Sequence, residues 1–398
     1  MSLAAVLRSQ DFRVTGTVGL AHGASHFFQL AIPPLFPLLR GDFNVSWTAL
    51  GFMMTLFYIA SGATQFFSGM LVDRFGARPI LIGGLFLLAG GTLACALAPN
   101  IVVFYALAVL IGVGNGTLHP CDFAVMNANI HERHLGYAYA VHGVGGNIGW
   151  ALAPVTSYAL SAHFGWRGAL LIMGIAGLLV LALVVSQRRL LNSERTQTVT
   201  IGEKTLKPAA SWWQWATIMC FLFFVLQSFS SSGISSFTPS ILHEGFSLTL
   251  ALSTSAVTTY LSASMFGTLT GGLVATRTSR HVHVAAGGLV IAALSAILVF
   301  LITGSPLTLL VCFAVMGFSI GITGPSRDMI VRSVTPKGMA GRVYGFVYTG
   351  MDVGSMLAPL LLGALLDHNL GKGAYAVIAA ALALAILTVV KVHRPTSE

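Results

Sequence analysis

The chain has 398 residues, of which 55% are hydrophobic and only 8% charged, and its mean hydropathy is +0.83. Soluble domains carry about 25% charged residues, so a water-exposed globule of this composition could not cover itself; soluble enzymes and nucleic-acid binders are excluded and a polytopic membrane protein is indicated. The net charge of +9 comes from 21 Lys and Arg against 12 Asp and Glu scattered over short loops, which reads as membrane orientation and not as a basic partner surface.

In chain order, the polar start MSLAAVLRSQDF leads into an apolar span too long for a signal-peptide core, so that span is expected to be retained. Apolar runs of about 20 residues, the length that crosses a bilayer core, number twelve. They fall near 14–38, 47–70, 79–97, 101–125, 136–160, 166–186, 213–240, 249–274, 282–302, 306–330, 341–366 and 372–391. Irregular backbone cannot face lipid, so these are read as helices, with Gly and Pro marking kinks and close contacts. The short alternating segments of a β-barrel are absent. Cys95, Cys121, Cys220 and Cys312 lie inside apolar runs without paired or metal-ligand spacing and read as core residues.

Loops on the side of both termini hold 17 Lys and Arg against 3 on the other, with Arg327 inside a span, so both termini are expected in the cytoplasm. The one long polar stretch, from Gln187 to Ser211, follows the sixth span. It divides the chain into an N-terminal six-helix half (1–186), a cytoplasmic linker (187–212) and a C-terminal six-helix half (213–398). Trp212, Trp213 and Trp215 stand where an interfacial anchor would sit.

The halves repeat. At a constant offset of 205, GVGNGTLHP aligns with GFSIGITGP, and GYAYAVHGVGGNIGWALAP with GRVYGFVYTGMDVGSMLAP. The register pairs Gly112/Gly317, Gly116/Gly321, Pro120/Pro325, Gly145/Gly350, Gly149/Gly354 and Pro154/Pro359. The run GVGGNIG is read as a packing surface; no strand precedes it, so it is not a nucleotide loop.

The loop after the second span reads GMLVDRFGARPIL. Gly69 is expected to allow close helix packing, Asp73 to accept hydrogen bonds at a neighbouring helix N-terminus, and Arg74 and Arg78 to hold the cytoplasmic face. With the parallel six-helix repeat, this resembles the major facilitator superfamily, whose signature loop G-x-x-x-D-R-x-G-x-R forms part of a cytoplasmic latch between the halves. The resemblance implies an all-α fold of twelve transmembrane helices in two pseudo-symmetric halves, working by alternating access. The second half carries a degenerate copy, GGLVATRTSRH, with Ala275 at the position of Asp73.

A narrower stretch, Ser25-His26, His119-Pro120 and RHLGYAYAVHGVGGNIGWALAP, is similar to the fosmidomycin-resistance branch, proton-driven drug exporters. Here Cys121 stands between the His-Pro pair and Asp122, Gln29-Leu30 replaces the branch's Asn-Asp, and Ala108 lies where many proton-coupled exporters have Arg.

Polar residues at membrane depth are costly and face cavities or partners. His22, His26 and Gln29 share one face of the first span, and Asn115, His119 and Asp122 one face of the fourth. The fifth adds Tyr139, His142 and Asn147, the seventh Gln227 and the serines from Ser228 to Ser232, the tenth Arg327 and Asp328, the eleventh Tyr344, Tyr348 and Asp352. The resemblance implies that these helices line or flank the central cavity, so these residues form the expected substrate and proton pathway. Each also has a packing reading: the histidines as interhelix hydrogen-bonding groups, Asp122 as a partner of Arg74 and Arg78, Arg327 and Asp328 as a self-compensated pair.

The function expected is a secondary transporter moving a small organic solute, anionic or drug-like, across the inner membrane, with export favoured and proton-coupled organic-anion uptake as the alternative. A metal-ion exporter using His22, His26, His119 and His142 and an intramembrane enzyme are the remaining alternatives; no zincin spacing supports the enzyme, and no span carries a central Lys for a Schiff base. No ATP-binding motif is present, so an ion or solute gradient is the expected drive, with protons as the expected ion. No cofactor and no resident metal are expected. The expected partners are the solute, protons and the bilayer, with the chain as a monomer. Coupling is expected through the membrane histidines and Asp122, since imidazole titrates near neutrality. Arg327 is expected to anchor an anion: it falls opposite Asp122 in the repeat, and Asp328, turned about 100° away on the helix, looks a poor partner.

Overall fold

The structure, a computed structural model, describes residues 10–192, 214–301, 305–335 and 340–392. Most of the expected linker, with Trp212 and Trp213, therefore lies outside the described residues, as do several of the basic residues counted for orientation. Helices α1 (Gln10–Ala31) and α2 (Phe36–Phe43) make up the first span, followed by α3 (Trp47–Phe75), α4 (Ala77–Cys95), α5 (Ile101–Asn129) and α6 (Glu132–Ser186). The second half holds α7 (Trp215–Ser240), α8 (Leu250–Arg277), α9 (His281–Leu301), α10 (Pro306–Val334), α11 (Ala340–Asp367) and α12 (Gly373–Lys391). No strand occurs among the described residues, and nine of the helices are long and apolar enough to cross a membrane. The four cysteines are free and buried.

One span differs from expectation for an identifiable backbone reason. The first is broken: Pro33 and Pro34 supply no amide hydrogens, and the chain passes through a short 3-10 turn, Pro33–Leu35, before α2 resumes. The Ala31 carbonyl at the break accepts a 2.7 Å hydrogen bond from Ser157 Oγ instead. The expected fifth and sixth spans lie within α6 as two helices that meet at a non-helical kink at Gly165, where φ is +66°, a conformation that costs glycine little.

The helices fall into two compact units, Met1–Val45 with Leu56–Lys204 and Ser46–Thr55 with Thr205–Glu398. In the first, α1 packs along α6, and a Cβ built on Gly145 would stand 2.7 Å from the Gly19 carbonyl oxygen. In the second, α7 packs along α11, and a Cβ on Gly350 would stand 2.8 Å from the Phe221 oxygen. Gly112 and Gly116 press against the carbonyls of Phe57 and Ser61, and their repeat partners Gly317 and Gly321 against those of Tyr260 and Ser264. The paired glycines thus perform the same backbone-to-backbone packing in each unit, the way apolar helices associate where lipid removes the hydrophobic drive.

The second unit also takes in the first residues of α3. Ser46 Oγ accepts from the Ala49 amide, while Asp367, the last residue of α11, accepts from Trp47 N at 2.7 Å, Thr48 N at 2.8 Å and Thr48 Oγ1 at 2.6 Å. Amides that a helix start leaves without partners are thereby satisfied.

Candidate functional site

In the first unit, α1, α5 and α6 bring four imidazoles onto one carboxylate. The i, i+4 spacing of His22 and His26 puts their rings 4.2 Å apart, and His119 and Asp122 lie one turn apart on α5 beside Pro120. Asp122 is fully buried; its Oδ2 lies 3.0 Å from His142 Nε2 and 3.2 Å from His22 Nδ1. His22 stacks on His142 at 3.6 Å and meets His119 edge-on at 4.8 Å. Asp122 is therefore a partner of these histidines and not of Arg74 and Arg78. The packing reading of interhelix hydrogen bonding holds for His142, but five ionisable groups in one cluster exceed what packing needs.

Two members of this site were missed in the sequence. Trp150 stacks on His26 at 4.1 Å and donates from Nε1 to Gln29 Oε1 at 3.0 Å. Gly146 makes room for the rings: a Cβ there would lie 2.6 Å from His26 Nδ1 and 2.8 Å from His22 Nε2. The signal was available, since His142, Gly146 and Trp150 follow one another at four-residue intervals and so share a helix face. Tyr139 and Asn147, expected in the pathway, stand apart from the carboxylate. Tyr139 is half-buried and donates to Asn127 Oδ1 at 2.6 Å, and Asn147 donates to its own helix at Gly143 O, 2.9 Å away. Asn115 donates to Ser61 Oγ at 2.9 Å.

In the second unit, the expectation that Asp328 is a poor partner for Arg327 is corrected: Arg327 Nε donates to Asp328 Oδ1 at 3.0 Å. The long, flexible Arg side chain reaches around the turn that separates adjacent positions. Arg327 Nη1 lies 3.5 Å from Gln227 Oε1, and the guanidinium sits 4.4 Å above the Phe224 ring. Gln227 is held by donating to Thr323 Oγ1 at 3.0 Å, and Tyr348 OH donates to Asp328 Oδ1 at 3.1 Å. The pair does not exhaust the guanidinium, because Nη2 makes no hydrogen bond among the described residues. One turn beyond Tyr348 stands Asp352, half-buried, with no hydrogen bond or ion pair among the described residues. Tyr344 stacks beside Tyr348 at 5.9 Å, and Ser228 bonds to Ser355 at 3.4 Å.

The signature loop departs from expectation in its local contacts. Nothing approaches within 4 Å of a Cβ built on Gly69, so no close packing is made there. Asp73, Arg74 and Arg78 are exposed and form no ion pair among the described residues. Arg74 lies 5.2 Å over the Phe75 ring.

Two helical units built on one packing plan, each holding a polar cluster among long apolar helices, define a polytopic membrane protein. The chain belongs to the Major Facilitator Superfamily, whose family model matches residues 18–257 and 220–398. It is 24% identical over 385 residues to the fosmidomycin resistance protein of Escherichia coli, covering 95% of this chain and 92% of that one. It is 32% identical over 153 residues to a multidrug resistance protein B homolog of Mycobacterium tuberculosis, a match spanning 38% of this chain and 27% of the relative's length. Among solved structures, a bacterial homolog of the human lysosomal transporter Spinster, in an inward-facing and occupied conformation, superposes with a TM-score of 0.76 at 14% identity, covering 96% of both chains. That likeness establishes the fold.

Proposed function

We propose that the protein is a proton-coupled secondary transporter that moves a small organic anion or anionic drug across the inner membrane by alternating access, in the direction of export. In this reading residues 1–186 and 213–398 are the two moving halves, both termini are cytoplasmic, and the chain works as a monomer. The observation that carries the proposal is the arrangement in the second unit: a partly exposed guanidinium with an unused Nη2, and an unpartnered carboxylate, Asp352, on the α11 face one turn from Tyr348.

The guanidinium offers parallel N–H donors that suit carboxylate, phosphonate or similar oxygens, and Phe224 and Gln227 hold its plane. Asp352 supplies the coupling group. An unpaired carboxylate at membrane depth is one that a proton can neutralise, so its proton can be exchanged as the cavity opens to either side. This moves the expected coupling role from His22, His26, His119, Asp122 and His142 to Asp352, because Asp122 already lies against His22 and His142, whereas Asp352 has no ion pair among the described residues. His22, His26 and Gln29 in the first unit, with Asn115 and His142, remain in the proposed pathway wall. Similarity to the fosmidomycin resistance protein over nearly the whole chain supports export.

The test is a panel of organic anions in proteoliposomes under an imposed pH gradient. Asp352→Asn should abolish accumulation driven by the gradient while leaving substrate counterflow intact. If Asp352→Asn still accumulates solute and His26→Gln does not, coupling belongs to the histidines.

A further inference from the structure

We propose that His22, Asp122 and His142 form a binding site for a divalent transition-metal ion of the zinc class, inside the first unit and separate from the anion site. The chemistry of the donors is that of such sites: two imidazoles and one carboxylate, from three different helices, with His26 and His119 forming a second set that shares His22. The spacing fits. A tetrahedral ion with bonds of about 2.0–2.1 Å holds neighbouring ligand atoms about 3.3–3.4 Å apart. Asp122 Oδ2 lies 3.2 Å from His22 Nδ1 and 3.0 Å from His142 Nε2, and all ligand atoms of the set fall within 4.8 Å of one another.

Independent observations point to a ligand. Asp122 Oδ1 is buried with no hydrogen-bond partner, and His22 Nδ1 stands at ion-pair distance from the carboxylate without hydrogen-bond geometry. Buried polar atoms are ordinarily satisfied, so two left over at one point mark a place where a bond is to be made. A neutral imidazole presents a lone pair to a metal and a carboxylate offsets part of its charge, whereas close packing of four uncompensated imidazoles gains little. Gly146 adds to this, since only a residue without a side chain leaves room for the His22 and His26 rings. The metal alternative weighed from the sequence named four histidines and no carboxylate; Asp122 joins the set only in the folded chain, because the ligands are 20 to 120 residues apart on three helices, whereas zincin motifs place them within one turn. An ion here would tie α1, α5 and α6 together within one unit.

The experiment is calorimetric titration of the purified protein with Zn2+, with Co2+ as a spectroscopic probe. Wild type should bind one Zn2+ saturably, Co2+ should develop the visible absorption of a low-symmetry N/O site, and Zn2+ should bleach it. Asp122→Asn and His142→Gln should each weaken Zn2+ binding at least about 100-fold, while His163→Gln, on the exposed part of α6, should not change it. X-ray absorption of the Zn2+-loaded wild type should show nitrogen and oxygen at 2.0–2.1 Å and no sulfur, which needs no variant to fold. Absence of saturable binding by wild type, a sulfur shell, or undiminished binding in both variants would overturn the site. Asp352→Asn should bind Zn2+ as wild type does, so the metal site and the transport reading fail separately.

Discussion

Asp367 closes its own helix and opens another, and its removal should loosen the second. A carboxylate at the end of α11 meets the negative pole of that helix, an unfavourable place that the N-terminus of α3 compensates by presenting Trp47 N, Thr48 N and Thr48 Oγ1 at 2.6–2.8 Å. In Asp367→Ala both amides lose their acceptor, while Ser46 Oγ still caps Ala49. Loss of a helix cap costs about 1–2 kcal/mol. The segment 46–55 should therefore open about 5- to 30-fold more often, because 1.4 kcal/mol is a factor of ten. Thr48→Ala removes only the hydroxyl bond and should cost about 0.5–1.5 kcal/mol. Hydrogen exchange measured by mass spectrometry in lipid nanodiscs reads both: peptides covering 47–51 should exchange faster in the order wild type, Thr48→Ala, Asp367→Ala, with α5 unchanged. Equal exchange at 47–51 in wild type and Asp367→Ala would show that Gly51 and Gly363, which bring these backbones together, hold the segment without the carboxylate.

Arg327→Lys should weaken anion binding about 5- to 100-fold, since an ammonium cannot reproduce parallel N–H donors or lie flat on Phe224, and Arg327→Ala should abolish it; binding of a labelled anion to detergent-purified protein checks this. Normal transport by Arg327→Ala would return Arg327 to a structural pair with Asp328. Gly146→Ala should destabilise the protein by about 1–3 kcal/mol through overpacking against His26 and His22, read as a lower thermal midpoint; an unchanged midpoint would mean the rings swing away freely. Asp73→Asn should shift the balance of inward- and outward-open states by about 1–3 kcal/mol if the signature loop acts as a latch, read by cysteine accessibility on both faces. An unchanged pattern would leave the loop an orientation signal.

What the sequence displayed well was whatever repeats at short range. Hydropathy over 20-residue windows located the spans, and the offset of 205 located the glycines that bring helix backbones together, because each span and each copy of the glycine pattern is a local run of residues. Side-chain partnerships were harder. His22, Asp122 and His142 could be named as membrane-depth polar residues, but their meeting on one carboxylate oxygen depends on how three helices are rotated. Trp150 escaped notice since an aromatic in a span is ordinary until it is seen to stack on an imidazole. The Arg327–Asp328 pair was misjudged because helical geometry fixes where Cβ points, not where a guanidinium four bonds further on ends up.

The two units share a scaffold and divide the chemistry. Gly19 and Phe221 occupy matching places, against Gly145 and Gly350, as do Gly23 and Val225 against Gly149 and Gly354. By that register His22 corresponds to Phe224, and by the offset of 205 Asp122 corresponds to Arg327. One packing position thus holds an imidazole against a carboxylate in the first unit and a phenyl ring under a guanidinium in the second, at 3.2 Å and 4.4 Å. The remaining pairs diverge in the same sense: His119 aligns with Gly324, His142 with Val347, and Asn147 with Asp352. The first unit therefore concentrates neutralisable donors around a negative charge, and the second places a positive charge near an unpartnered acid. A repeat that kept only the glycines would leave the two units chemically alike. The exchange of charge at Asp122/Arg327, with His22/Phe224 beside it, is the sequence difference on which the two proposals rest, a cation site in the first unit and an anion site in the second.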